Sequence, residues 1–447
     1  METKVIILIN KGSRRFVYVC EVLFRHILKI PYQFVEKSSL DILGGKKTLS
    51  DEDILLNYTG DADLKGLYIP NSGLLNETII RKEFPEIEFE NGIPVFFRQK
   101  GKFDISFDLF AACFYLVTEY EFAIQPQYDQ FGRYNEKVYP SFQHDLHAKP
   151  LVHVYAEILW QNLNSLKPSL QRKTASFDYR ITIDVDHPWA FKHKGIKGVL
   201  GSFKDVFQFD FKNLAIRWKS LFSEQDPYDT FEEILTWVPI EKLKFFFLIN
   251  PEHTLDGRYT YRNKHYRKLI KGISKRCKEI GIHPSYSTFL SKQAIAMEKA
   301  ELEEIIGKRI LSVRQHYLKY RNPKTRLFYT ELGIRQDYNA AMSSGIGFRN
   351  GMGIPFPWFN LLANEMTTLF IHPQMVMDVT LKDYMGLSAE ESIQKIINLI
   401  EECKKYNLTF SLLWHNSSLS EIHGWEGWKL VFQESVRMLN ESTNKAT

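Results

Sequence analysis

Thr182–Ala190 reads TIDVDHPWA and closes an apolar, β-rich run, Tyr179–Val185 (YRITIDV). It sets two carboxylates, Asp184 and Asp186, two positions apart. On a strand, side chains at i and i+2 leave the backbone on one side. Two carboxylates side by side in a cavity repel each other, and one proton or one cation relieves the repulsion. A metal bound by one, with a water activated by the other, is one use of such a pair. A strand-end cap with a solvated partner is the equal alternative.

Outward from this stretch, similar runs recur: Lys244–Ile249, Gly281–His283, Ile310–His316, Ile334–Tyr338, Thr367–His372 and Thr409–His415. Between them lie amphipathic helical segments such as Tyr261–Glu279, Thr288–Ile306, Ala389–Tyr406 and Trp425–Leu439. Strand–helix alternation predicts a parallel sheet. Seven strand units over this length predict a closed or nearly closed barrel, with a doubly wound open sheet as the alternative. The candidate strands end in polar residues: Asp184 and Asp186, Asn250, His283, Arg314 and His316, Asp337, His372, His415. In parallel α/β architectures the functional site sits at the carboxyl ends of the strands, where such residues can converge on one cavity.

The first 165 residues mix short apolar runs (Val5–Ile9, Gly66–Ile69, Pro94–Phe97) with two helices, Phe107–Tyr120 and Pro150–Leu163. The polar, basic segment Asn164–Phe177 is the best boundary. The expected domains are therefore 1–165, a smaller α/β unit of unknown role, and 166–447, the barrel. A total of 447 residues is too long for one ordinary core. The net charge of +5 is too weak over this length to argue for nucleic acid. Four cysteines, Cys20, Cys113, Cys277 and Cys403, stand far apart and predict reduced thiols. The opening METKVIILIN has too short an apolar run for a signal segment, and no stretch reaches membrane-span length. The expected location is the cytoplasm.

Three further constellations could carry chemistry. In Gly281–Ser285, GIHPS, a neutral imidazole at His283 would suit a metal, although a lone histidine is more often structural. In Arg314–Tyr317, RQHY, an arginine at a strand end can hold a carboxylate by a bidentate pair, or form only a surface ion pair. In Leu413–Ser417, LWHNS, His415 is a general-acid candidate or a satisfied core histidine. Singly none of these is specific; their order on successive strand ends says more.

That order resembles the polysaccharide deacetylases, the NodB-like fold of carbohydrate esterase family 4. TIDVD at Thr182–Asp186 is similar to the family's first motif, which implies a base at Asp184 and a metal ligand at Asp186. HPSYS places His283 on the first histidine of the metal-binding motif and Ser287 where the second belongs. RQHY supplies the arginine that orients the base, Arg314, with His316 in place of the family's proline. Leu413–His415, LWH, supplies the histidine that protonates the leaving group. Longer strings, among them Asp129–Tyr134 (DQFGRY), Met377–Leu381 (MDVTL) and Leu413–Trp428, resemble a bacterial subgroup with an uncharacterised N-terminal domain. The resemblance covers most of the chain from about Phe107 onward.

What the resemblance implies is α/β: a distorted (β/α)7 barrel preceded by a smaller α/β N-terminal domain. The expected function is removal of N- or O-acetyl groups from a carbohydrate, a hydrolase reaction. The expected cofactor is a divalent metal, zinc first, with nickel, cobalt or manganese as alternatives. The expected partner is an N-acetylated sugar or oligosaccharide, with no nucleic acid and no membrane span. The catalytic set is Asp184, His415 and Arg314, and the metal ligands are Asp186 and His283. Tyr286, His316, Asp337 and Trp414 are expected to bind substrate, and Trp189 and Trp358 are further stacking candidates. Ser287 leaves only two transferable ligands, few for a catalytic zinc. His187, His316, Asp337 or Asp378 could supply a third. Otherwise the metal is weakly held or absent, and the alternative is a catalytically inactive glycan-binding barrel.

Overall fold

The computed structural model describes residues 3–42, 52–194, 215–216, 218–220 and 225–444. It divides into two compact units. The first is Met1–Asp129, Tyr134–Ser176 and Phe348–Ile371; the second is Gln130–Arg133, Phe177–Gly347 and His372–Thr447. Neither unit is one continuous stretch of chain.

The first unit contains a four-stranded parallel sheet in the order Tyr32–Glu36, Val5–Ile9, Ile54–Asn57, Leu67–Tyr68. Every residue of Val5–Ile9 is buried, as expected of a parallel strand covered on both faces. Ile87–Glu90 and Ile93–Phe96 form an antiparallel pair. Helix Leu109–Val117 is buried along its whole length; Asp108 caps its start by accepting from the Ala111 N–H. The second expected helix spans Leu151–Leu166.

Seven parallel strands organise the second unit: β1 Asp178–Val185, β2 Leu243–Phe247, β3 Ile280–Ile282, β4 Ser312–Val313, β5 Gln336–Asp337, β6 Val376–Met377 and β7 Thr409–His415. They pair in the order β5-β4-β3-β2-β1-β7-β6, and every one of these pairings is parallel. Read in a circle, this is the order of the sequence, with one break between β5 and β6. Among the described residues no ladder closes that break, so barrel closure is not part of the observed sheet. Single backbone bonds cross it, Gln374 N–H to Ala340 O and Gly347 N–H to Met375 O. A small apolar cluster of Leu318, Ala341, Met377 and Leu413 lies in the same unit.

One expected strand differs in pairing. Thr367–His372 is read from the sequence as a strand of the parallel series; Glu365–Ile371 is a strand, and it pairs antiparallel with Phe356–Asn360. A strand the sequence did not reveal is Val376–Met377, two residues long and too short to leave a periodic trace. Its neighbour β7 is flanked by helix Ala389–Lys405, which starts with a Ser388–Glu391 capping box.

Candidate active site

β1 carries the first half of the site. Ile181, Ile183 and Val185 are fully buried, while Thr182 and Asp184 share the opposite face. Both are reached by one arginine, at the end of β4. Arg314 Nη1 donates to Asp184 Oδ1 at 2.7 Å, and Nη2 donates to Thr182 Oγ1 and Gln374 Oε1, each at 2.7 Å. Its Nε donates to Tyr338 O at 3.3 Å. This guanidinium is fully buried, so four acceptors are what make its desolvation tolerable. The bidentate pair expected from RQHY is not formed: one Nη1–Oδ1 bond joins Arg314 to Asp184, and its other donors go to Thr182, Gln374 and Tyr338.

Asp186 follows one step beyond the strand. The loop after it is pinned by Asp226, whose carboxylate accepts the Ala190, Phe191 and Lys192 N–H groups. Gly257 passes so close that a Cβ there would lie 1.9 Å from Asp186 O, which requires glycine. His283 leaves β3 beside it. Its Nδ1 faces Arg314 O at 2.6 Å, and a carbonyl only accepts, so Nδ1 carries the proton. Its Nε2 then faces Asp186 Oδ1, 3.2 Å away, and Asp184 Oδ2, 3.7 Å away.

The third group is His316. Its Nδ1 lies 2.7 Å from Asp256 Oδ1, and its Nε2 lies 3.3 Å from Asp186 Oδ2. Asp256 in turn accepts the N–H groups of Glu252, His253 and Tyr286. Asp186, His283 and His316 offer ligand atoms that all lie within 4.8 Å of one another. Asp186 Oδ1 and His283 Nε2 are buried and make no hydrogen bond, although they are 3.2 Å apart. Two such atoms this close are favourable only with a proton or a cation between them. With both Nδ1 atoms engaged by acceptors, this donor set fits a divalent cation.

His415, at the end of β7, completes the group. Asp378, directly after β6, accepts from both the His415 N–H and Nδ1, each at 2.8 Å. His415 Nε2 is 3.7 Å from Asp186 Oδ2. Burial alone would lower its pKa, but Asp378, then Asp186 and Asp184, hold it up to about 10. Burial likewise opposes the charge on His316, and Asp186 with Asp256 raises it to about 9. Burial would raise Asp186; His316 and His283 outweigh it and keep the carboxyl well below its usual range.

Asp184, Asp186, His283, His316 and His415 open onto one cleft. Arg133, Tyr317, Tyr384 and Trp425 form part of its wall. Tyr317 has φ +61°, a left-handed backbone that a tyrosine rarely adopts. Such strain is a feature of functional sites.

Other sequence expectations are corrected here. His316 is placed with Asp186 and His283, not apart as a substrate contact. Ser287 is exposed, just before the short 3-10 turn Thr288–Leu290, and outside the ligand cluster. His187 is also outside that cluster. Tyr286 spends its hydroxyl on Phe131 O at 2.9 Å, and the Lys319 ammonium covers its face 3.5 Å from the ring centre. One face of the ring is thus covered. Asp337 is fully buried, accepting from Arg326 Nε at 2.9 Å and from Asn339, so it fixes a turn. Trp414 is fully buried against Phe432, with ring centres 5.6 Å apart. Trp189 is buried edge-on to Tyr259, and Trp358 is buried in the first unit.

Asp378, named from the sequence only as a possible metal ligand, instead holds His415. Asp256 was not legible, since it lies in a loop and carries no periodic signal.

Comparison with known proteins adds two findings. Residues 5–168 match a sequence family described as a "Family of unknown function (DUF7033)". Among solved structures, the chain is similar to one described as a "putative polysaccharide deacetylase from Mycobacterium smegmatis". The identity is 15%, the TM-score 0.38, and the match covers 60% of this chain and 85% of that one. No curated protein matches the chain. Among the described residues no helix is long and apolar enough to cross a membrane.

Proposed function

We propose that the second unit is a metal-dependent carbohydrate deacetylase, a hydrolase that removes N- or O-acetyl groups, built on a (β/α)7 barrel whose seam lies between β5 and β6. The observation that carries this reading is the meeting, in one cleft, of an arginine-clamped carboxylate and an aspartate-held imidazole around an Asp–His–His donor set. That combination supplies a base, an acid and a cation site within reach of one another. The inactive reading rested on the histidine missing at position 287. It loses ground because His316 offers the third donor from the neighbouring strand end.

Asp186 Oδ, His283 Nε2 and His316 Nε2 would hold the cation. When bound, a divalent ion there would supply Lewis acidity toward a carbonyl oxygen and a water. Asp184 accepts the proton of the attacking water. Arg314, paired to Oδ1, orients the carboxylate and leaves Oδ2 as the acceptor. His415 Nε2 donates a proton to the departing sugar nitrogen or oxygen as the acyl bond breaks. Asp378 holds the other ring nitrogen, so the donating atom faces the cleft. Water adds across the acyl bond, yielding acetate and the free amine or hydroxyl.

The test is metal content of chelator-treated, re-metallated protein, read together with acetate release from acetylated oligosaccharides, for wild type and Asp186→Ala. Near-stoichiometric metal in the wild type alone, with acetate from the wild type alone, is the expected result. Absence of both would leave a glycan-binding barrel.

A further inference from the structure

The strand ends that carry the site also carry apolar side chains. Leu413 stands two positions before His415 on β7, on the same face. It pairs in register with Met377 of β6, which directly precedes Asp378. Leu318 stands two positions after His316, and Val379 follows Asp378. Leu318, Met377 and Leu413 pack with Ala341 into one cluster, and Val379 packs against it. Leu318, Met377, Val379 and Leu413 also line the cleft that holds Asp184, Asp186 and His415.

This apolar wall is kept in place at a cost to the backbone. Tyr317 and Leu318 are consecutive non-glycine residues in the left-handed region, at φ +61° and +53°. That conformation is unfavourable for an L-residue and persists where the surroundings over-determine it. Leu318 is 7% exposed and packed against its cluster partners. The turn after His316 thus sets a ring of the donor set and an apolar side chain on one cleft.

Each wall residue lies within two positions of a group that acts in the proposed reaction. Whatever fills the wall is therefore joined to the reacting carbon or to the leaving atom. A sugar ring carries a hydroxyl on most of its carbons, and burying these against leucine, methionine and valine leaves them unpaired. An aliphatic chain has no such cost and gains by leaving water. The acyl side of the bond therefore faces the wall, and the sugar faces the polar side of the cleft. Neighbouring strands stand about 4.8 Å apart, so Leu413 and Met377 together already span the width of a methyl group. Leu318 and Val379 extend the wall beyond what an acetyl covers.

We propose that this wall is a subsite for an acyl group longer than acetyl, of about three or four carbons. The preferred bond is then a propionyl or butyryl amide or ester on a sugar. The inference rests on the hydrolase reading above and deepens it, by naming the acyl class. The chemistry is unchanged: water adds to the acyl carbon, and the longer carboxylate and the free amine or hydroxyl depart.

The test is titration calorimetry on the full chain, loaded with zinc, with two probe series. One is a β-1,4-linked glucosamine tetramer acylated on nitrogen with acetyl, propionyl, butyryl or hexanoyl groups. The other is acetate, propionate, butyrate and hexanoate, which need neither sugar nor reaction. Wild type is expected to gain about two- to fourfold in affinity per methylene up to butyryl, in at least one series, and no more at hexanoyl. In Val379→Phe the added ring occupies the wall, and the ratio of butyryl to acetyl affinity should fall to within about twofold of unity. Should that variant fail to fold, Val379→Ala widens the wall and is expected to carry the gain on to hexanoyl. Affinity that is level or falls beyond acetyl in both series, no binding of any probe, or a gain unchanged in folded Val379→Phe would overturn the proposal. Release of the acid from the tetramers is scored separately. A gain with chain length and no acid from any tetramer keeps the subsite and sinks the hydrolase reading. Acid released from the acetyl tetramer with no gain in either series does the reverse.

Discussion

His316 Nδ1 lies 2.7 Å from Asp256 Oδ1, and the imidazole thus fixed turns its Nε2 toward Asp186. Asp256 comes from the loop after β2 and His316 from the end of β4, so this pair ties two separate parts of the unit to one donor set. A carboxylate behind a ligating histidine sets its tautomer and orientation. Asp256→Asn is expected to weaken zinc binding by roughly ten- to a hundredfold. Competition with a chromophoric chelator reads this directly; unchanged affinity would remove Asp256 from the site.

Position 287 offers a sharp contrast. Ser287 is exposed and outside the cluster that contains His316. Ser287→Ala should leave metal content unchanged, while His316→Ala should abolish stoichiometric binding. The reverse pattern, by elemental analysis after dialysis, would restore the family spacing and displace His316.

His415 is held by Asp378 and kept protonated well into the alkaline range, near 10. His415→Ala is expected to lower acetate release by about a hundred- to ten-thousandfold, with metal content kept. Loss of metal together with activity would mean that His415 is a ligand and not the proton donor.

Arg314 is the buried partner of Asp184 and is itself fully enclosed. Breaking such a pair by removing one side leaves an uncompensated charge, a loss of about 3–5 kcal/mol. Arg314→Met should lower the thermal midpoint by several degrees in a calorimetric scan. Asp184→Asn with Arg314→Met should recover part of that loss, because the stranded carboxylate is gone. No recovery would argue that the Thr182 and Gln374 contacts dominate.

Glu298 is buried and accepts from the Ser285 N–H and hydroxyl. Burial lifts its pKa to about 8, with the Ser285 bonds acting the other way. The folded chain therefore holds a proton that the unfolded chain releases near 4.5, the ordinary glutamate value. This contribution to stability is complete below that pH and is lost as pH rises through about 8. Glu298→Gln should flatten the decline in thermal midpoint between these limits. An equally steep decline in the variant would place the titrating group elsewhere.

Much of this site was written in local sequence. TIDVD, GIH, RQH and LWH each end a strand, and the alternation of side chains along β1 puts Thr182 and Asp184 on one face. The coupling of site residues to the carboxyl ends of strands is likewise a property of each strand alone. The resemblance to the deacetylases, and not strand periodicity, singled out Asp184, Asp186, His283, Arg314 and His415 among the polar strand ends. The aromatic candidates fared differently, because a tryptophan near a strand end is placed as readily in the core as in a cleft. Trp414 is buried against Phe432, and the face of Tyr286 is covered by Lys319.

What the sequence by itself determined is the parallel strand–helix series and the polar strand ends, since both follow from short-range periodicity. Only the tertiary structure decided that His316 joins Asp186 and His283, that Asp256 and Asp378 stand behind the histidines, and that Arg133 enters the cleft. It alone paired Glu365–Ile371 antiparallel with Phe356–Asn360 and added the short strand Val376–Met377 beside Thr409–His415. These outcomes depend on which strands pair and in what register. That choice is made by burial and hydrogen bonding summed over the whole unit, and no window of neighbouring residues contains it.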